Sequence, residues 1–361
     1  MKALTIGKRT VGEGKPAYII AEIGSNFDGD LKRAKALALK CKEAGADAYK
    51  IQNFLASKIV SGEGFKNLQV SFQSKWDKPV VEVYKKAEFP REWVKELAAY
   101  CKEIGIDFLS SPYDTDAVDL LEEVGVSAHK IGSGEADNLE FLAYVAKTGK
   151  PVILGVGATT MEEVERAVAA MRKTGNENIV ILQCVTNYPA PIADTNLRAM
   201  VAIGKELGVL YGYSDHTISP AQGGDDPLRG ITVPLGAVAL GACVIEKHVT
   251  DDPKRAGPDH PFAMNIDGDF RDMVAGIRAL ESALGDGKKR LMPSEKETVI
   301  IQRRGIYALR AIRKGETISR DMLELLRPAV GLKPRDLPRV AGSKAARDIA
   351  AGEPVKDNDI T

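Results

Sequence analysis

Between residues 17 and 285 a short apolar run followed by an amphipathic stretch recurs eight times, and this beat limits the fold more than any other feature of the chain. The runs are AYIIAEI, DAYKIQ, IDFLSS, AHKIGS, PVILGV, IVILQC, VLYGYS and ACVIEK. Each has the length and β-favouring content of a buried strand, while stretches such as DLKRAKALALKCKEAG and TMEEVERAVAAMRKTG have helical periodicity. Most of the helical stretches end in a glycine able to take the left-handed conformation of a helix stop. Several begin with an Asp, Asn or Thr able to cap free amides. Eight β/α units predict an α/β fold of the (β/α)8 TIM barrel type, whose closure leaves no sheet edge exposed. The competing doubly wound open sheet is disfavoured by the strand count and by the lack of GxGxxG after the first strand.

Three segments stand outside the beat. Residues 3–20 predict a small hairpin turning at Gly12-Glu13-Gly14. Residues 57–88 predict a long loop over the barrel mouth. At Gly285 the pattern changes to a polar, basic connector, GDGKKRLMPSEKE, and then to a turn-rich tail without a long amphipathic helix. Within that tail RAIRKGETISRDML and RDIAAGEPVKDNDI read as two copies of one element. The expected organisation is a catalytic barrel over 1–285, a linker over 286–299 and a small β-rich domain over 300–361. A domain of about sixty residues is marginal alone and is expected to pack on a barrel.

Composition narrows the function. Lys plus Arg and Asp plus Glu number 50 each, so neither nucleic acid nor a membrane surface is expected as a bulk partner, and any affinity for an anion must be local. Cys41, Cys101, Cys184 and Cys243 form no CxxC pair and read as buried free thiols of a reducing compartment. The N-terminus lacks the apolar core of a signal peptide, and no apolar run approaches the roughly 18 residues of a membrane span. A cytoplasmic protein is expected.

In a TIM barrel, polar residues at the C-terminal strand ends are the catalytic suspects. In order these are Glu22 and Asn26, Lys50 and Gln52, Ser110 and Ser111, Lys130, Ser133 and Glu135, Thr186, Asn187 and Tyr188, Ser214 and His216, then Glu246 and His248. Singly, a lysine is a solvated strand end and a hydroxyl satisfies a backbone group. Together, two lysines and several hydroxyls around one opening suit a phosphate and a carboxylate. Glu22, Glu135 and Glu246 add acid/base candidates beside them. Two of only four histidines, His216 and His248, end neighbouring strands. As a pair they suit a divalent ion with open positions, able to polarise a carbonyl oxygen. An anion site beside a cation site suggests bond formation or cleavage between a phosphorylated or carboxylated small molecule and an aldehyde.

The motifs AEIGSNFDGD at 21–30, YKIQ at 49–52, HKIGSGE at 129–135, CVTNYPAP at 184–191, GYSDHT at 212–217, EKHVTDD at 246–252 and GPDH at 257–260 occur in one order. On these the chain, nearly end to end, resembles the sialic acid synthase family of N-acetylneuraminate, legionaminate and pseudaminate synthases. Its tail resembles that family's antifreeze-like, or SAF, domain. The resemblance implies a transferase of the N-acetylneuraminate synthase kind. Such an enzyme condenses phosphoenolpyruvate (PEP) with an open-chain N-acetylated amino sugar and water, giving a nonulosonic acid and phosphate. The sugar would be N-acetylmannosamine or a 2,4-diacetamido-6-deoxyhexose.

The resemblance also implies roles for residues. Lys50, Ser111, Lys130, Ser133 and Ser214 would bind PEP, with Thr186 or Asn187 helping. Glu135, Tyr188, Asp259 and Arg304 would contact the sugar, Arg304 from the partner protomer of a domain-swapped homodimer. His216 and His248 would hold a divalent ion, usually manganese, with cobalt, iron or magnesium as other fits. Glu22 and Glu246 would handle the water. The chain departs from its relatives at LGVGA, where Thr159 or Thr160 is expected to replace a missing hydroxyl near the phosphate. It departs again at PAQGGDDPLRG, an insertion expected beside the site. His260 of GPDH is assigned a surface or supporting role rather than a metal or sugar contact. Rival enzyme readings are another metal-dependent barrel aldolase, a Schiff-base aldolase using Lys50 or Lys130, and a PEP-condensing synthase for a phosphorylated sugar. An ice- or carbohydrate-binding module is a non-enzyme rival, but the tail lacks a flat Thr-rich face.

Overall fold

A computed structural model describes residues 3–66, 68 and 78–361, which fall into two compact units, Met1–Gly285 and Asp286–Thr361. The first opens with an antiparallel hairpin, β1 (Ala3–Ile6) and β2 (Arg9–Gly12). Its turn is at Gly7-Lys8, five residues earlier than the Gly-Glu-Gly reading placed it, because Gly7 supplies the positive φ of 57° that the tight reversal needs.

The barrel follows as β3 (Tyr18–Glu22), α1 (Leu31–Glu43), β4 (Ala48–Asn53), three short helices α2 (Ala56–Ile59), α3 (Gly62–Lys66) and α4 (Val80–Ala87), then α5 (Val94–Ile104), β5 (Asp107–Pro112) and α6 (Thr115–Val124). It continues with β6 (His129–Ile131), α7 (Leu139–Ala146), β7 (Val152–Gly155), α8 (Met161–Arg172), β8 (Ile179–Gln183), α9 (Leu197–Leu207), β9 (Leu210–Asp215), α10 (Thr232–Ala239), β10 (Val244–Thr250), β11 (Met264–Asn265) and α11 (Arg271–Leu284). Parallel ladders join the eight barrel strands in the order β5-β4-β3-β10-β9-β8-β7-β6, and β5 lies beside β6 to close a TIM barrel. In its described residues the expected loop over 57–88 is largely helical. Its residues 67 and 69–77 lie outside the described residues.

Side-chain alternation sorts each strand. Tyr18 and Ile20 join Ala48, Leu109, Ile153, Val180, Leu182 and Val244 inside the barrel, where Leu4, Ile6 and Val11 of the hairpin pack with them. Ile19, Ala21, Tyr49, Ile51, Ile245 and Val249 face the helices. Side-chain caps from Asp30, Asp114, Asn138 and Thr160 start α1, α6, α7 and α8, and left-handed Gly105, Gly125 and Gly208 end α5, α6 and α9. The four cysteines are buried and free. No described helix is long and apolar enough to cross a membrane.

In the second unit the connector is partly helical, α12 (Lys296–Gln302). It is followed by an antiparallel pair, β12 (Gly305–Ala308) with β13 (Leu323–Leu326), and by α13 (Leu337–Val340). The two sequence copies repeat in space. Arg310 pairs with Glu316 at 3.0 Å and Arg347 with Glu353 at 2.7 Å, while the same glutamates accept from the Arg313 and Ala350 amides. Ile312 and Ile349 form a bridge within the unit's apolar core. Arg304 is exposed between α12 and β12.

Candidate active site

At the C-terminal ends of the barrel strands lies a cavity of about 470 Å3. Inward alternation delivers Lys50 of β4, Ser111 of β5, Lys130 of β6, Ser214 of β9, and Glu246 and His248 of β10 to it. The loops beyond the strands add Ser133, Glu135, Thr186, Tyr188, His216 and Asp259.

One side of this cavity gathers two lysines with their own counter-ions. The Lys50 ammonium contacts the Glu22 carboxylate, lies 3.7 Å from Glu246 Oε2 and donates to Ser111 Oγ at 2.9 Å. Lys130 Nζ lies 3.1 Å from Glu246 Oε1, which also accepts from Ser214 Oγ at 2.9 Å. Lys50, Lys130, Glu22 and Glu246 are all under 5% exposed. Two buried cations with two buried anions leave this cluster neutral, which offsets a desolvation cost of several kcal/mol per ion. Burial pulls the Lys50 ammonium down to about 7, with Glu246 opposing. Burial pushes Glu246 up, yet Lys130 and Lys50 together hold it down at about 2. Ser133 Oγ accepts from the Gly157 amide at 3.0 Å and lies 3.1 Å from Cys184 Sγ.

The other side carries the imidazoles. The rings of His216 and His248 are 5.6 Å apart, and Tyr188 packs on His216 at 4.2 Å. Burial pushes His216 down to about 4 and His248 well below its ordinary value, so both rings are neutral at physiological pH. His216 Nδ1 donates to the Val185 carbonyl at 2.6 Å, which leaves Nε2 with a free lone pair. His248 Nδ1 is buried without a hydrogen-bond partner. Two neutral imidazoles, one with its tautomer fixed by the Val185 carbonyl, fit a divalent ion. Among the described residues no third His, Cys, Asp or Glu completes a metal cluster, so water and substrate would fill the other positions.

Several expected site residues lie elsewhere or act differently. Glu22 does not line the cavity: one oxygen contacts the Lys50 ammonium and the other accepts from the Gly24 amide at 2.6 Å. Asn187 is exposed and turns its amide to the Pro189 carbonyl at 2.6 Å. Thr159 bonds the Val156 carbonyl and Thr160 caps α8, so neither replaces a hydroxyl in the lining. The insertion over 218–230 supplies none of the residues lining the cavity. His260 is buried rather than on the surface, bridging Thr250 Oγ1 at 2.7 Å and Asp28 at 2.9 Å. It thereby anchors the loop on which Asp259 accepts from the Ser25 amide and hydroxyl. Burial raises Asp259, with Ser25 opposing. The sequence reading missed Phe54, Tyr113 and Cys184, and the α2–α4 residues Ile59, Phe65 and Tyr84, in the wall. Cys184 was findable, since it extends the inward series Val180, Leu182 of β8.

A TIM barrel whose mouth joins buried lysines and serines to a pair of neutral imidazoles is a barrel enzyme built for an anionic small molecule. The chain belongs to the NeuB family, whose profile matches residues 37–289, and carries a SAF domain over 303–361. It is 36% identical over 345 residues to N,N'-diacetyllegionaminic acid synthase of Campylobacter jejuni, covering 95% of this chain and 100% of that one. It is 34% identical over 356 residues to N-acetylneuraminate-9-phosphate synthase of Mus musculus, covering 98% and 95%. The crystal structure of N-acetylneuraminic acid synthetase from Leptospira borgpetersenii in complex with citrate superposes with a TM-score of 0.70 at 30% identity, over 82% of this chain and 95% of that one.

Proposed function

We propose that the chain condenses PEP with the open-chain form of an N-acetylated amino sugar, releasing phosphate and a nonulosonic acid. The observation that carries this is the meeting of Lys50 and Lys130, both nearly fully buried, with two neutral imidazoles in one cavity. Lys50 and Lys130 bind the phosphate and carboxylate of PEP, with Ser111, Ser133 and Ser214 donating hydrogen bonds and Thr186 at the rim. His216 and His248 would hold the divalent ion; the donors suit manganese, cobalt or iron alike, and manganese is put first on the family resemblance. When bound, that ion supplies Lewis-acid polarisation of the sugar's aldehyde oxygen.

Carbon 3 of PEP bonds to the aldehyde carbon, water adds at carbon 2, and the bond from carbon 2 to the phosphate oxygen breaks to leave the keto group. Glu246, held ionised, accepts one proton of that water, the former aldehyde oxygen takes up a proton to become the new hydroxyl, and Glu22 holds Lys50 in place from the neighbouring strand. Glu135, Tyr188 and Asp259 border the sugar's share of the cavity. Among the described residues lining it, Lys50 and Lys130 are the basic ones, and both belong to the anion cluster. This favours an unphosphorylated sugar, which would otherwise need a second cationic pocket.

The proposal includes a cytoplasmic homodimer in which Arg304 of the partner subunit reaches the sugar's N-acyl group. A solution mass of two chains, with loss of sugar affinity in Arg304→Ala, tests it. Phosphate release from PEP with a panel of N-acetylmannosamine, 2,4-diacetamido-6-deoxyhexoses and phosphorylated aldoses tests the reaction. After chelator treatment, release should return on adding manganese and vanish in His216→Ala and His248→Ala. Release without metal, or with a phosphorylated aldose alone, would overturn the proposal.

A further inference from the structure

The two strands that lead to the histidines also carry a buried ion pair that the reaction does not use. Asp215 and Lys247 are register partners on β9 and β10, one residue before His216 and His248, and each is 1% exposed. Lys247 shares the outward face of β10 with Ile245 and Val249, which pack against the helices, so the pair points away from the cavity.

The bonding of this pair is complete. The Lys247 ammonium donates to the Asp215 carboxylate, to the Thr217 carbonyl and, at 3.2 Å, to the Gly230 carbonyl. Three donors meet three acceptors, which is what a cation without water requires. Asp215 accepts in turn from the Thr217 amide at 3.1 Å and the Thr217 hydroxyl at 2.9 Å. Gly230 is shaped to the ammonium: its φ is +82°, and a Cβ there would lie 2.7 Å from the Thr217 carbonyl oxygen and 2.9 Å from Lys247 Nζ.

Burying two ions costs several kcal/mol each, and apolar residues of similar volume would join the strands at no loss of stability. What apolar residues could not do is fix the backbone. The pair grips the residue before His216, the residue after it, the end of the 218–230 insertion and the residue before His248. A site with two protein ligands has no third side chain to correct a misplaced one.

We infer that Asp215 and Lys247 are positioning residues that set the separation of the two imidazoles and hence the affinity for the divalent ion. This rests on the two-histidine metal reading above. The test titrates manganese into the full-length, chelator-stripped protein and reads free Mn2+ by electron paramagnetic resonance. Besides wild type it uses His216→Ala, Lys247→Met, the double variant Asp215→Leu/Lys247→Met, and Leu142→Ala on the far side of the barrel as a packing control.

Lys247→Met should weaken Mn2+ binding by about 10- to 100-fold, the range for lost supporting contacts around a metal. The double variant should regain thermal stability, since it leaves no unpaired charge, yet bind Mn2+ as weakly as the single one. Leu142→Ala should melt earlier with unchanged Mn2+ affinity. A double variant with wild-type Mn2+ affinity would overturn the inference while the metal site stood. His216→Ala binding Mn2+ as wild type does would overturn the metal site and the inference together.

Discussion

Replacing Glu246 by Gln separates what holds the anion site together from what binds its ligand. Glu246 is 3% exposed, with Lys130 Nζ at 3.1 Å and Lys50 Nζ at 3.7 Å. Since the carboxyl is held at about 2, the amide removes a full negative charge. At an effective dielectric near 20, each contact at that range is worth about 4 to 5 kcal/mol of attraction. Desolvation offsets much of it, and breaking a buried pair has a net cost of about 3 to 5 kcal/mol. The lower end applies, because Glu22 still pairs with Lys50. We expect Glu246→Gln to lose about 3 kcal/mol and to melt several degrees earlier in chelator. PEP then returns negative charge to two under-compensated ammonium groups, so it should bind the variant at least as tightly as wild type and raise its melting temperature more. Turnover should fall by about 10²- to 10⁴-fold through loss of the base. Calorimetric titration and thermal unfolding with chelator present read these terms apart. An unchanged melting temperature, or PEP binding weakened tenfold or more, would refute the counter-ion argument.

Two further predictions follow from single groups. Lys50, pulled down to about 7 by burial, gains a further anionic neighbour beside Glu22 and Glu246 when PEP binds, so its pKa rises in the complex. Protons are taken up between the free and bound values, from about pH 7 upward. Titration at pH 8 in buffers of different ionisation enthalpy should therefore show uptake of up to about one proton, absent in Lys50→Met; proton release would contradict it. At Gly157 a Cβ would lie 2.1 Å from Thr186 Oγ1 and 2.8 Å from Cys184 Sγ. Gly157→Ala should displace that rim, cost about 1 to 3 kcal/mol in thermal unfolding and weaken PEP binding; unchanged PEP affinity would place Thr186 outside the PEP contacts.

What the sequence could show depended on periodicity. Lys50, Lys130, Ser214, Glu246 and His248 meet in one cavity because each occupies an inward position near a strand's end, and a two-residue period can be read without coordinates. Residues beyond the strand ends obey no period. Asn187 turns back to its own loop, and Thr160 has the flanking sequence of a helix cap, with Glu163 three residues on. Glu22 has the inward position of a catalytic group, in register with Lys50 and His248, but its carboxylate is taken up by the Lys50 ammonium and the Gly24 amide. The Asp215–Lys247 pair was invisible because a cross-strand partner requires the register, which the runs do not carry. The aromatic wall of Phe54, Tyr84 and Tyr113 comes from the ends of β4 and β5 and the connection between them, where the rings meet only once the two strands are in register.

If one cavity joins carbon 3 of PEP to an amino-sugar aldehyde, a label at that carbon must follow the new bond. Carbon-13 NMR of a reaction with PEP labelled at carbon 3, an N-acetylated amino sugar and manganese tests it most directly. The label should move to a methylene bonded to the former aldehyde carbon, with one phosphate released per label. Label found in the methyl group of free pyruvate, or left in PEP with every sugar of the panel, would contradict it.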